Sequence, residues 1–146
     1  MKKSISLWQV FLLGLVMMNC GWVKAQSPST DTVFTIPYSY GFEDGLGNWT
    51  TIDHNNDGHT WSITTPVSSS VSAHGGTEFV GCSSWIGGVG AIHPDDYLVS
   101  PAIAVTGNAI LSWYERSGHS NYYAEHYSVY ISTSGNSLSD FDTTSP

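Results

Sequence analysis

Glu125-His126-Tyr127-Ser128-Val129-Tyr130-Ile131-Ser132 alternates without a break. Tyr127, Val129 and Ile131 fall on one side of an extended chain, and His126, Ser128, Tyr130 and Ser132 fall on the other. A period of two predicts a strand with one face on a core. Reading outward, residues 33–40, 60–64, 78–82, 96–100 and 109–114 have the same character: short apolar segments set apart by Gly, Ser, Asn and Pro. The chain beyond residue 25 offers no good helix. The expectation is an all-β domain of antiparallel strands, a sandwich or a barrel. Its loops at 53–59, 66–76, 87–94 and 117–121 are where function would sit.

The N-terminus reads differently. Lys2 and Lys3 precede an apolar run from Leu7 to Met18, and Val23-Lys24-Ala25 supplies the short side chains a signal peptidase needs. The run is too short to cross a bilayer, which takes about 20 residues. The expectation is a secretory leader, residues 1–25, cleaved after Ala25, with no membrane insertion afterwards and a secreted or cell-surface destination. Cys20 follows Asn19, where a lipoprotein signal wants a small residue. Residues 26–36 read as a flexible lead-in and 37–146 as one domain.

Charge narrows the partners. Three of the four basic residues lie in the leader, so the remainder carries Arg116 as its one base against twelve acids, a formal charge of −11. Such a surface repels nucleic-acid backbones and anionic lipid headgroups, whose affinity for proteins comes from Lys and Arg. Two readings of the acid excess stay open: a soluble acidic surface, or carboxylates gathered round a divalent cation. Past the leader only Cys82 remains, so no internal disulfide can help.

Asp53-His54-Asn55-Asn56-Asp57-Gly58-His59 places oxygen-bearing side chains at 53, 55 and 57 with a glycine next, the first half of a calcium loop. The second half is absent, because the twelfth position is Thr64. Any further ligands would come from elsewhere in the chain. The competing reading is an ordinary Asx-rich turn.

Three segments read together add a resemblance. Phe42-Glu43-Asp44-Gly45, Trp49 to Trp61 and Asp95-Asp96-Tyr97-Leu98-Val99-Ser100-Pro101, continued by Leu111-Ser112-Trp113 and Glu125 to Tyr130, resemble the cleaved adhesin family. These are haemagglutinin/adhesin domains similar to the choice-of-anchor J and MAM-like modules of Bacteroidetes surface proteins. The resemblance implies a jelly-roll β-sandwich stabilised by Ca2+, without catalytic machinery, attaching to host protein, cells or glycan. It further implies Glu43 and Asp96 as calcium ligands, then Asp53, Asn55 and Asp57, with Asp44 and Asp95 as neighbours. Against this stands the reading in which Glu43 and Asp96 cap turns through backbone N–H groups. Asn55 departs from the Asp common in the family. Family domains continue with further strands, so the resemblance also implies a jelly roll incomplete at its C-terminus. An accessory domain of a secreted protease would share every one of these features.

Among the aromatics, Trp49, Trp61 and Trp113 lie in or beside expected strands and read as core, whereas Tyr122-Tyr123 after a polar loop could stack on sugars. The six histidines show no zinc spacing. Enzyme motifs fail: there is no G-x-S-x-G elbow, no Lys after Lys24 for a phosphate loop, and Ser84 where a papain-type nucleophile would stand. Glu115 and Glu125 could be imagined as a glycosidase pair, though nothing in their spacing requires it. Ligand identity and oligomeric state leave no trace in the sequence.

Overall fold

A computed structural model of the chain describes residues 2–7 (backbone only), 32–64 and 71–141. The leader's apolar run and cleavage site, the Ser-rich segment 65–70 and residues 142–146 lie outside the described residues. The fold is all-β. Among the described residues ten strands run in chain order as β1 (Lys2–Leu7), β2 (Phe34–Thr35), β3 (Thr50–Asp53), β4 (Ser62–Thr64), β5 (Phe79–Gly81), β6 (Trp85–Ile86), β7 (Gly90–Ala91), β8 (Asp96–Val99), β9 (Ile103–Ala104) and β10 (Ala109–Tyr114). One 3-10 turn, Leu138–Asp140, is the helical element among the described residues.

The strands associate in pairs. β1 with β10, β3 with β8, β4 with β5 and β6 with β7 are antiparallel, and β2 lies parallel to β9. The β3–β8 ladder organises the rest. Thr50 and Thr51, β-branched and suited to a pleat, face Val99 and Leu98, while Ile52 faces Tyr97 and Asp53 faces Asp96. Val99 is 6% exposed and marks the centre of the apolar packing; burying its side chain is worth about 1.5–3 kcal/mol. Phe34 and Tyr38 make one ring contact, and Tyr40, Phe42 and Trp49 form a second group, with centroids 5.0–5.2 Å apart. The indole of Trp49 donates to the Tyr38 hydroxyl at 3.1 Å, and the Tyr40 hydroxyl to the Gly45 carbonyl at 3.0 Å. Trp49 thus packs as expected. The turn that brings it there uses Gly45 at φ 82°, where a side chain would be strained.

β1, β3 and β9 fall outside the strands the sequence predicts, and three further segments differ from that reading. The expected strand at 33–40 shrinks to Phe34–Thr35, because Pro37 has no N–H to give a ladder. A hairpin, β6–β7, starts at Trp85 and runs into the expected loop 87–94; Gly88 and Gly90 supply the positive φ of 83° and 108° that its turn requires. Residues 125–132 form no strand. Among the described residues no ladder takes up their backbone groups, and Tyr127, Val129 and Ile131 are 50%, 40% and 51% exposed.

Candidate functional site

The Asx-rich loop leaves the end of β3 and is pinned by its own side chains. Asp53 accepts from the backbone N–H groups of Asp57 and Gly58 at 3.2 and 2.9 Å. Asp57 accepts from the His59 N–H at 2.8 Å, and Asn55 donates to Asp57 at 3.1 Å and to the His93 carbonyl at 2.9 Å. Asn56 and Gly58 take positive φ, as a loop this tight demands. A second tie joins His54 Nδ1 to Asp95 Oδ2 at 2.6 Å, and this bond holds the Asp95 carboxyl below its ordinary range.

Asp96 closes the corner from β8, opposite Asp53 in register. Its Oδ2 accepts from the Cys82 thiol at 3.4 Å, and its backbone carbonyl accepts from the Trp61 indole at 3.2 Å. Its Oδ1 is buried with no hydrogen-bond partner among the described residues, as is the Thr60 hydroxyl. Desolvation, followed by the fields of Asp53, Asp57 and Asp95, raises the Asp96 carboxyl above its usual range. Burial and the bond to Asp96 push the Cys82 thiol up to about 12.

Glu43 makes its bonds to another segment. Its carboxylate accepts from the backbone N–H groups of Thr77 and Glu78 at 2.9 Å and from the Thr77 hydroxyl at 3.0 Å. The Glu78 and Thr77 amides hold its pKa down. A Cβ at Gly76 would run into that carboxylate, so glycine there permits the approach. The structure therefore brings Asp53, Asn55, Asp57 and Asp96 to one corner and uses Glu43 to cap the turn at 77–78. Among the described residues no three His, Cys, Asp or Glu side chains converge closely enough to hold a metal ion.

Tyr122 and Tyr123 are 76% and 70% exposed. Tyr123 is shared between two shallow hollows, one of about 370 Å³ lined also by Asn121, Tyr122 and Glu125, the other of about 330 Å³ lined also by Arg116, Ser117 and His119. Ser84 donates to Glu125 at 2.6 Å, a tie across the chain that the sequence reading missed because nothing local signals it. The Cys82–Asp96 contact was equally invisible. The adjacent carboxylates Asp95-Asp96 were its one available clue.

Fold and corner together define an acidic all-β module. The Cleaved Adhesin Domain model matches residues 35–144, and the chain belongs to that family. It is 37% identical over 109 residues to Hemagglutinin A of Porphyromonas gingivalis, a match covering 73% of this chain and 4% of that protein. It is 38% identical over 102 residues to Lys-gingipain W83 and 35% identical over 112 residues to Gingipain R1, both from P. gingivalis; these cover 68% and 73% of this chain. The chain spans about 6% of the length of each of those two relatives. No solved structure matches it.

Proposed function

We propose that the chain is a secreted or surface-held, non-catalytic adhesion module whose contact surface is the aromatic loop at 116–125 and whose ligand is a host protein or glycan. The observation that carries this reading is the pair of open rings, Tyr122 and Tyr123, above two polar-lined hollows. Rings held out to water offer stacking faces at small entropic cost, and the neighbouring Asn121, Ser117 and Arg116 offer polar groups to fix orientation. Family membership and a relative named Hemagglutinin A support it. Binding to a glycan array and to red cells tests it. Tyr122→Ala and Tyr123→Ala are each expected to weaken binding about tenfold with the melting temperature unchanged. Undiminished binding by the double variant would sink the assignment.

Calcium is part of the proposal. The buried, partnerless Oδ1 of Asp96 is the feature that suits a cation; Asp53, Asn55 and Asp57 are the oxygen donors opposite it in register and following in sequence, and they would have to draw in toward it to complete a site. Such an ion would neutralise the corner's mutual repulsion and stiffen the loop. Glu43, already bonded to two backbone amides, would have to divide its oxygens to contribute.

A second reading, an accessory domain of a secreted protease, is favoured by one fact: matching segments lie in relatives named Lys-gingipain and Gingipain R1. Both readings place the module outside the cell after removal of residues 1–25.

A further inference from the structure

The two hollows on either side of Tyr123 differ in their chemistry. The one of about 330 Å³ is lined by Arg116 and His119 among others. The one of about 370 Å³ has no base in its lining, which is Asn121, Tyr122, Tyr123, Ala124 and Glu125. We infer that the larger hollow, with two open rings and one carboxylate, binds a lysine or arginine side chain of a partner protein. Within the adhesion reading, on which this inference rests, the ligand is then a basic protein segment and not a glycan.

Tyr122 and Tyr123 are open to water, and the negative face of a phenol ring attracts a cation set over it. Glu125 is exposed and adds a full negative charge to the same lining. It is held from outside the loop: the Ser84 hydroxyl, just before the β6–β7 hairpin, donates to its Oε1 at 2.6 Å. That bond leaves Oε2 to accept from an ammonium or guanidinium group. A neutral sugar would also stack on the rings, so the surrounding field decides between the two ligands. The formal charge of the chain is −8 with the leader and −11 without it. Such a field draws a cation in from a distance, leaves an uncharged sugar unaffected and repels an acidic glycan. Net charge by itself would attract a base anywhere on the surface; the rings and Glu125 select the place. Arg116 and His119 make the smaller hollow the poorer of the two for a cation.

Tetralysine and its fully acetylated form, titrated into the full chain and followed by NMR, test the site. Tetralysine should shift the signals of Tyr122, Tyr123 and Glu125, and the acetylated peptide should leave them in place. Glu125→Gln keeps an acceptor for Ser84 but loses the charge, and should weaken tetralysine about fivefold. Glu78→Gln removes the same charge from a residue that lines neither hollow, and should weaken it by less than about twofold. Equal weakening by the two variants would mean that net charge alone attracts the peptide, and it overturns the inference. So does equal binding of the acetylated peptide, or a set of shifts that spares both tyrosines. A glycan-array signal that Glu125→Gln leaves intact gives the hollow to a sugar and overturns it as well. Red cells judge the adhesion reading separately. If the Tyr122→Ala, Tyr123→Ala double variant loses red-cell binding while tetralysine fails to bind the unaltered chain, that reading stands and the cation site is refuted. If tetralysine binds at the rings while the double variant keeps its full red-cell binding, the site stands and the adhesion reading falls.

Discussion

Replacing Asp96 with Asn separates the metal reading of the acid corner from a purely structural one. The Asp96 carboxyl is raised above its ordinary range by burial and by three neighbouring carboxylates, so at neutral pH its charge works against the folded state. That cost is absent below the unfolded pKa and complete once pH exceeds the folded value. In a chelator, Asp96→Asn should therefore melt no lower than the unaltered protein. With calcium the order should reverse. A buried oxygen without a partner costs about 1–3 kcal/mol, and occupancy at 100 times Kd adds about 2.7 kcal/mol. For a domain of this size either figure corresponds to a rise on the order of 5–10 °C. Scanning calorimetry of both proteins in millimolar calcium and in chelator reads the crossing directly. If the unaltered protein melts at one temperature in both solutions, or if both proteins gain equally from calcium, Asp96 holds no metal and the corner is an Asx turn with a buried acid.

Other expectations are simpler to check. Glu43 has its pKa lowered from 4.5 by amide bonds, so the stability it contributes is present above that value and fades as pH falls through the lower folded one. Glu43→Gln should flatten the acid limb of a pH–melting curve below about pH 4.5, and an unchanged limb would show the cap is idle. Cys82, with a thiol at about 12, should resist iodoacetamide at pH 8 in the native state and react once unfolded; rapid native labelling would contradict its burial. Intact mass of the exported protein should place the N-terminus at Gln26, and a lipid on Cys20 would defeat that cleavage.

Legibility in the sequence followed the physics of each segment. The strand at 96–99 could be read because Tyr-Leu-Val lies between Asp-Asp and Ser-Pro, an apolar burst with a stop on each side. β10 was readable for the same reason, between Gly107-Asn108 and the charged Glu115-Arg116. The short β6 and β7 escaped because their hairpin depends on glycines at positive φ, and composition alone reads those as loop. Residues 125–132 show the opposite failure. A period of two says which faces a strand would have, but not whether a neighbouring strand takes up its backbone groups in a ladder. At the acid corner, proximity of 53, 55 and 57 was legible from spacing. The sharing of the corner with Asp96 needed the family resemblance, and the solitary role of Glu43 on the 77–78 turn had no local signal.

Arg116, which lines one hollow beside Tyr123, has a consequence for durability. Once residues 1–25 are gone it is the one position in the sequence where a protease that cuts after Lys or Arg finds its residue. An environment rich in such enzymes could open this module at a single peptide bond, Arg116–Ser117. That bond lies after β10 and before Tyr122 and Tyr123, so one cut would break the backbone link between the rings and that strand.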